Sequence, residues 1–153
     1  MSPRAAWRLE GAGFTPVYDY VAGKSDWLAA DLPFEGTAQL AGRLTRRQVA
    51  TAGEDTPAGE ALARLEARGF GPVVILNEAG VVMGAAHRND LASAPGGAAA
   101  GAVMRPGVST VRPSEQAGDL VHRMGHTGVT RIIVTRSDGT LVGLFFAGDA
   151  PAG

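Results

Sequence analysis

The strongest constraint on the fold is an internal repeat that covers most of the chain. Aligned with itself at an offset of 59 residues, which places Thr110 on Thr51, the sequence keeps one register without a gap over residues 41–149. In the same register apolar segments align with apolar segments, for example residues 73–75 with residues 132–134. A repeat of this length predicts two similar units that bury their apolar faces against each other. The identical pairs are Ala41/Ala100, Gly42/Gly101, Arg46/Arg105, Val49/Val108, Thr51/Thr110, Ala58/Ala117, Gly59/Gly118, Arg64/Arg123, Gly69/Gly128, Gly80/Gly139, Gly84/Gly143 and Asp90/Asp149.

Each copy carries an amphipathic helix with marked ends. Residues 57–68 and 115–127 place apolar side chains at the three- and four-residue spacing of a helix. Gly69 and Gly128 follow these stretches, where a glycine in the left-handed conformation commonly ends a helix. Asp55 and Ser114 precede them and are expected to cap the helix N-termini.

A β-hairpin is predicted after each helix. A β-branched run, a polar loop with Gly80 or Gly139, and a second apolar run indicate two strands joined by a short turn. Thr51 and Thr110 are expected to close a short extended segment ahead of each helix, and a short helix ends each unit. Because an isolated hairpin is only marginally stable in water, the units are predicted to pack sheet to sheet.

Composition limits the classes of function. The chain has 153 residues, of which 45% are hydrophobic and 19% charged, and no apolar run approaches the roughly 20 residues that span a bilayer. The net charge is -1, and Arg43, Arg46 and Arg47 form only a small patch, so we expect neither a nucleic-acid nor a membrane partner. The absence of cysteine excludes disulfides and cysteine nucleophiles and favours a cytoplasmic location.

These features together resemble a tandem CBS-domain pair, also called a Bateman module. The resemblance covers about residues 41–150. It rests on the ordered segments occurring twice, on the Val-Met-Arg-Pro segment at 103–106, and on the spacing of Gly84/Asp90 and Gly143/Asp149. It implies an α/β (α+β) fold of two βαββα repeats packed sheet to sheet with pseudo-two-fold symmetry. We place the repeats at residues 41–94 and 95–153, after an N-terminal segment of residues 1–40.

The resemblance also implies two clefts between the repeats that bind AMP, ADP, ATP or S-adenosylmethionine. Asp90 and Asp149 match the family's ribose-binding position, and carboxylate oxygens suit a vicinal diol. Threonines matching Thr51 and Thr110 line the cleft in the family, and the residues that begin the strand after the helix hold the base through backbone atoms. Here those residues are Gly71, Pro72 and Val73 in the first copy and Thr130, Arg131 and Ile132 in the second.

The sequence departs from the family pattern three residues before each aspartate, where nucleotide-binding members carry Thr or Ser. His87 and Phe146 stand there. In the first copy His87 and Arg88 replace the hydroxyl, with Arg88 offering a charge-assisted bond to phosphate. The second copy offers only Arg131. We therefore expect one competent site, centred on Asp90; the alternative is that an Asp beside a short helix serves as a cap without any ligand.

The first forty residues lie outside the repeat and are predicted to form helix, strand and helix. The first helix is capped by Ser2, the strand covers residues 17–20, and the second helix passes through Trp27 and Leu28. Residues 13–36 resemble the last third of a rhodanese-like domain, including its closing Gly-Leu-Pro-x-Glu-Gly signature with Asp31 in place of Gly. The resemblance implies a remnant without the catalytic cysteine. Its aromatic side chains are expected to be packing residues: Trp7, Phe14, Tyr18, Tyr20 and Trp27.

The residues predict neither catalysis nor a metal or cofactor. His122 and His126 stand four apart on the predicted helix, a spacing that can present two imidazoles to one metal. Since no Glu follows His122 and no third ligand is apparent, we interpret them as satisfied or solvent-facing side chains. Glu54 and Asp55 are adjacent and do not face each other across a substrate. We therefore expect a protein that is not an enzyme.

The predicted function is regulatory. A module that binds an adenine nucleotide in one cleft between the repeats would report to an unidentified regulated protein, and a homodimer is expected. Two alternatives remain open. One is a ligand-free pair acting in protein interaction or dimerisation, and the other is a fragment of a sulfurtransferase lacking its cysteine.

Overall fold

Helices and strands occur at equivalent places in the two repeats. The structure, a computed structural model, describes residues 3–150. Its helices are α1 (Pro3–Gly11), α2 (Gly23–Ala29), α3 (Ala41–Leu44), α4 (Ala58–Arg68), α5 (Arg88–Ala92), α6 (Ala100–Val103) and α7 (Ala117–Thr127), followed by a 3-10 turn (Ala147–Asp149). Its strands are β1 (Thr51–Gly53), β2 (Val73–Leu76), β3 (Val82–Ala86), β4 (Arg105–Pro106), β5 (Thr110–Val111), β6 (Arg131–Thr135) and β7 (Leu141–Phe146).

Each repeat builds its own sheet. In the first, the strand order is β1-β2-β3-β4, with β1 parallel to β2 and the other pairs antiparallel. In the second, the order is β5-β6-β7, again with a parallel pair followed by the antiparallel hairpin. β4 belongs to the segment that leads into the second repeat, and its counterpart is an isolated bridge between Arg46 and Leu144. The predicted hairpins are confirmed.

An apolar layer joins the two sheets. Val49, Val74 and Ala85 of the first repeat are buried against Ile133 and Leu144 of the second. The opposite face of the first sheet packs on α4, α5 and α6, and that of the second on α7 and α3. Each sheet is thus covered on both faces, as its continuous apolar strands require. This arrangement confirms two βαββα repeats packed sheet to sheet.

The C-terminal caps of the two long helices are confirmed, and their predicted N-terminal caps are wrong. Gly69 and Gly128 have φ of 77° and 67° and end α4 and α7 in the left-handed conformation. Neither Asp55 nor Ser114 is an N-cap, because both helices begin later than predicted. The first N–H of each helix donates instead to a backbone carbonyl of the segment leading into the other repeat. These bonds run from Ala58 to Ala98 and from Ala117 to Gln39, both at 2.8 Å.

The N-terminal segment docks on the repeats through α2. Leu28 and Ala29 are buried, and Arg47 donates to their carbonyl oxygens at 3.1 and 2.5 Å. Asp26 forms an ion pair with Arg136 of the second hairpin. The predicted helix through Trp27 is therefore confirmed.

Two other predictions for this segment are wrong. Residues 17–20 form no strand, because no neighbouring strand offers them hydrogen bonds. α1 buries no residue, and Trp7, Phe14 and Tyr18 are 72%, 61% and 80% exposed. Of the predicted packing aromatics, Tyr20 and Trp27 do contact each other, edge to face at 5.3 Å. The predicted cap at Ser2 lies outside the described residues, and within residues 3–150 no helix is long and apolar enough to cross a membrane.

Candidate ligand-binding clefts

Two arginine–carboxylate pairs connect the repeats crosswise. Arg46 donates from Nε and Nη2 to the two carboxylate oxygens of Asp149, at 2.7 and 2.6 Å. Arg105 donates in the same way to Asp90, at 3.2 and 3.3 Å. Since Arg46 is equivalent to Arg105 and Asp90 to Asp149, the pseudo-two-fold symmetry exchanges the two pairs. Each candidate ribose-binding carboxylate is therefore held by an arginine of the other repeat.

Glycines in the hairpins allow the arginine segments to come this close. A Cβ at Gly84 would lie 2.6 Å from the carbonyl oxygen of Arg105, and one at Gly143 would overlap the carbonyl group of Arg46. Arg46 and Leu144 then exchange backbone hydrogen bonds of 2.8 and 3.0 Å. The identical glycines of the repeat thus mark the places where each arginine crosses the other repeat's hairpin.

Protein side chains occupy the space beside Asp149, and a surface hollow of about 470 Å³ remains next to Arg46 and Phe70. The guanidinium carbon of Arg46 lies 4.5 Å from the ring centre of Phe146 and 5.2 Å from that of Phe70. The two rings meet edge to face at 5.9 Å. Charge-assisted hydrogen bonds and cation–π contacts both stabilise a guanidinium in this position. We call these four residues the Arg46 plug.

The equivalent cleft in the first repeat is open beside His87, three residues before Asp90; Asp90 itself is not among its lining residues. Val129 and His87 replace Phe70 and Phe146 in the repeat register, and both line a cleft of about 230 Å³. An adjoining hollow of about 280 Å³ shares Arg131 as a wall and is also lined by Phe70 and Phe146 of the Arg46 plug. The cleft alone is smaller than the roughly 300–1,000 Å³ typical of a small-molecule site, so a nucleotide would have to extend into the hollow.

Two arginines lie close to His87 in the open cleft. Partial burial lowers the pKa of His87, and the nearby Arg105 and Arg131 lower it further. Arg105 in turn lowers the pKa of Asp90, whose carboxylate also accepts a hydrogen bond from the backbone N–H of His87. Arg131 lines the cleft and Arg105 acts on His87 from beside it, which favours a ligand that carries negative charge.

Two further predicted site residues lie in the adjoining hollow. Gly71 and Arg88 line it together with Arg131. The guanidinium of Arg88 pairs with Glu66 of α4 at 2.7 Å, so a phosphate would have to compete for it. The hollow places Arg88 near the open cleft but not against Asp90.

The residues that begin β2 and β6 differ in exposure. Pro72 and Ile132 line the open cleft. Val73 is fully buried, and its side chain packs in the core beneath α4, so only its backbone is available to a ligand. Thr130 is exposed, and its carbonyl oxygen accepts the N–H of Ala147 at 3.0 Å.

The two threonines begin strands rather than closing an extended segment. Thr110 is the first residue of β5 and pairs with Ile133, while its neighbours Val108 and Ser109 line the open cleft. Thr51 begins β1 outside this cleft. It lies in a separate surface groove of about 310 Å³, where Arg64 donates to its carbonyl oxygen at 3.0 Å.

Neither aspartate is the N-cap of a helix, which is the position that the alternative of simple helix capping requires. His87 is the N-cap of α5 and Asp90 is the third residue of that helix. Asp149 ends the 3-10 turn, whose N-cap is Phe146. The carboxylate of Asp90 does accept the His87 N–H, so it has a local role beside its contact with Arg105.

Sequence reasoning missed three residues of the clefts. Arg46 and Arg105 occur among the identical pairs of the repeat, which was the one signal available for them. The repeat gave no signal for Phe70, because the residue at the equivalent position, Val129, is not aromatic. The contact of each arginine with the other repeat's aspartate became visible only in the tertiary structure.

Fold and clefts define a class of protein: two pseudo-symmetric α/β repeats, packed sheet to sheet, with charged clefts between them. The family model of the CBS domain matches residues 41–97 and 100–149. The chain therefore belongs to the CBS domain family and contains a tandem CBS pair.

Solved structures share this fold. The cytosolic domain of the Mg²⁺ channel MgtE in complex with ATP has a TM-score of 0.65 and 23% identity, covering 72% of this chain and 46% of that chain. CBSX2 from Arabidopsis thaliana, in complex with AMP, has a TM-score of 0.63 and 21% identity over 72% of this chain and 91% of that chain. The CBS pair of MJ0100, in complex with 5′-methylthioadenosine and S-adenosyl-L-methionine, has a TM-score of 0.63 and 19% identity over 74% and 93%. No curated protein sequence matches the chain.

Proposed function

We propose that this chain is a regulatory module that binds one adenine nucleotide in the open cleft beside His87. The difference between the two equivalent clefts carries the proposal. The Arg46 plug occupies the space beside Asp149 in one of them, whereas His87 and Val129 leave space in the other. Structures of the same fold contain ATP, AMP or S-adenosyl-L-methionine, which supports an adenosyl ligand.

Asp90 is the proposed ribose-binding group. Its two oxygens can accept hydrogen bonds from two neighbouring hydroxyls. Its contacts with Arg105 are longer than those of the Arg46–Asp149 pair, and the Arg105 side chain is 66% exposed. Such a surface pair contributes only about 0–1 kcal/mol. A ribose can therefore displace Arg105 from Asp90 at small cost.

The charge of the cleft favours a nucleotide over S-adenosylmethionine. Arg131 already lines the cleft. Arg105, once released from Asp90, is free to donate charge-assisted hydrogen bonds to phosphate. The positive sulfonium of S-adenosylmethionine gains nothing from these groups. We therefore place the ribose at Asp90 and the phosphates toward Arg105, Arg131 and His87.

Ligand binding would change a contact between the repeats. Arg105 lies on β4, which pairs with β3 at the edge of the first sheet but belongs to the second repeat's leading segment. Moving its side chain from Asp90 to phosphate replaces an inter-repeat contact by a ligand contact. A ligand that binds one arrangement more tightly shifts the population toward it. This shift is the proposed signal to a regulated protein.

Thermal unfolding with a panel of AMP, ADP, ATP and S-adenosylmethionine tests the proposal. A nucleotide at 100 times its dissociation constant should add about 2.7 kcal/mol of stability. Asp90→Ala should abolish this gain. Asp149→Ala is the matched control, since it changes the equivalent carboxylate in the cleft that the Arg46 plug occupies, and the gain should persist. Stabilisation that survives Asp90→Ala but not Asp149→Ala would place the ligand in the wrong cleft for this proposal.

A protein-interaction module without ligand is the second candidate. It is favoured by one observation: both candidate carboxylates already have arginine partners. In that case none of the nucleotides would change the unfolding temperature, and the Arg105–Asp90 pair would serve only to hold the repeats together.

We further propose that residues 1–40 are a rhodanese-like remnant. We also propose that the first repeat comprises residues 41–94 and the second residues 95–153. The backbone at Asp31 has φ of 57°, a conformation that favours Gly. Gly is the residue that the rhodanese signature carries at this position, so the geometry supports the resemblance. The chain contains no cysteine, and a persulfide carrier requires one.

The remaining parts of the proposal concern assembly and activity. We propose a homodimer, which light scattering at micromolar concentration would test; a monomer would contradict it. We also propose that the chain is cytoplasmic and catalyses no reaction. Thiosulfate:cyanide sulfur transfer by the purified protein would overturn the last statement and favour the sulfurtransferase fragment.

A further inference from the structure

We propose that the open cleft binds a nucleotide together with a proton, which the ring of His87 takes up. This inference rests on the function proposed above and adds a second input, pH, to the same site. His87 lines the cleft beside Arg131 and is half-buried. Within residues 3–150 no group makes a hydrogen bond to its ring. Both ring nitrogens are therefore available to a ligand.

The charges that face His87 keep its ring neutral in the free protein. Partial burial lowers the pKa of His87, and Arg105 on β4 and Arg131 on β6 lower it further. Asp90, on the helix that His87 caps, is the one charged group that raises it. With a pKa below the ordinary value of about 6.5, the ring is mostly uncharged at neutral pH. The free cleft thus carries its positive charge on arginine alone.

A bound phosphate would reverse this balance. A phosphate monoester carries nearly two negative charges at neutral pH, and an opposite charge within about 4–6 Å favours the protonated form of an imidazole. No other charge competes for this role. Arg88, in the adjoining hollow, is paired with Glu66, and apart from Arg131 and His87 the residues that line the cleft are uncharged. The pKa of His87 should therefore rise when a nucleotide binds.

The direction of the pH dependence follows from this rise. A group whose pKa is higher in the complex than in the free protein takes up a proton on binding, so the affinity increases as the pH falls toward the pKa of the free protein. The protonated ring would then donate a charge-assisted hydrogen bond to a phosphate oxygen. The module would consequently respond to nucleotide more strongly in mildly acidic conditions.

The second repeat offers no equivalent group. Phe146 stands at the position of His87, and its ring packs on Arg46. Thr or Ser, which the family pattern carries at this position, has a hydroxyl that does not titrate near neutral pH. The coupling to a proton therefore depends on one residue of one cleft, and a single substitution should remove it.

Calorimetric titration with AMP at about pH 7, in two buffers of different ionisation enthalpy, counts the protons taken up. His87→Gln is the matched variant, since glutamine retains hydrogen-bonding groups but cannot take up a proton. The unsubstituted protein should take up roughly 0.5 proton per AMP more than His87→Gln. Comparing the two proteins cancels the small fraction of a proton that AMP itself releases, because the second pKa of a phosphate monoester is about 6.

Two further measurements distinguish the phosphate from the rest of the ligand. Adenosine has no phosphate, so its binding should involve less than about 0.1 proton in either protein. The ratio of AMP affinity at about pH 6.5 to that at about pH 8 should be roughly threefold larger in the unsubstituted protein than in His87→Gln. In the unsubstituted protein the proton count should fall toward zero at about pH 8.5, a readout that needs no variant.

Equal proton counts in the two proteins, or the same uptake with adenosine as with AMP, would overturn the inference and leave nucleotide binding standing. A net release of protons by the unsubstituted protein at about pH 7 would also overturn it. Absence of AMP binding overturns this inference as well. If ADP and ATP also fail to bind, the proposed function is overturned with it.

Discussion

Arg46 and Asp149 are 103 positions apart in the chain and are joined by two hydrogen bonds of 2.7 and 2.6 Å. The equivalent pair, Arg105 and Asp90, is separated by only 15 positions. The same residue types in the same register therefore make one very long-range contact and one short-range contact. Because aromatic rings flank only the long-range pair, the two clefts of a symmetric fold have become unequal.

Exchanging the flanking residues should open the second cleft. The double variant Phe70→Val with Phe146→His places the residues of the open cleft around Arg46. Without the rings, Arg46 loses its cation–π contacts, worth about 0.5–1 kcal/mol each at exposed sites. We expect two nucleotides per chain by calorimetry instead of one.

The reciprocal exchange is the control for that prediction. His87→Phe with Val129→Phe should close the open cleft and abolish nucleotide binding. If the first variant still binds one nucleotide while remaining folded, the aromatic rings are not what closes the second cleft.

Removing Arg105 should affect charged and uncharged ligands in opposite directions. In Arg105→Ala the carboxylate of Asp90 is free, so adenosine should bind up to about fivefold more tightly, which corresponds to the 0–1 kcal/mol of an exposed pair. AMP should bind about tenfold more weakly, since a hydrogen bond between charged groups contributes about 1.5–3 kcal/mol. Fluorescence or calorimetric titration measures both. Arg46→Ala should change neither, and a shift of adenosine and AMP in the same direction would contradict the assigned role of Arg105.

The lowered pKa of His87 predicts a pH dependence of stability without ligand. Burial and the neighbouring arginines depress this pKa in the folded state, so below the ordinary value of about 6.5 the unfolded chain binds the proton more strongly. Stability should therefore fall as the pH drops through about 6.5 toward the lowered value. Urea unfolding between about pH 7 and about pH 5 should show a smaller loss for His87→Gln. An equal loss in both proteins would show that His87 is not the group responsible.

A methyl group at Gly143 should destabilise the pair. A Cβ there would overlap the carbonyl of Arg46, and overpacking of this kind costs about 1–3 kcal/mol. Gly118→Ala is the matched control, because nothing lies within 4 Å of a Cβ at this helical position. It should stabilise by up to about 1 kcal/mol. Urea unfolding of both variants checks the prediction, and an unaffected Gly143→Ala would contradict the close approach of Arg46.

Sequence patterns predicted the bounds of helices correctly where neighbouring residues determine those bounds. The helical spacing of apolar residues and the glycines at 69 and 128 placed the ends of α4 and α7, because periodicity and left-handed glycine geometry act within one turn. Asp55 and Ser114 failed as caps for a non-local reason. Carbonyl groups of Ala98 and Gln39 satisfy the helix N-termini from across the pair.

The sequence by itself determined the duplication, the order of elements, the sheet-to-sheet packing and the candidate carboxylates, because all of these follow from repeated residue types and short-range spacing. Tertiary structure alone decided which arginine meets Asp90 and Asp149. It also decided that Phe70 and Phe146 close around Arg46. Contacts across a pseudo-two-fold axis join residues far apart in the chain, and no local pattern specifies which of two equivalent partners will approach.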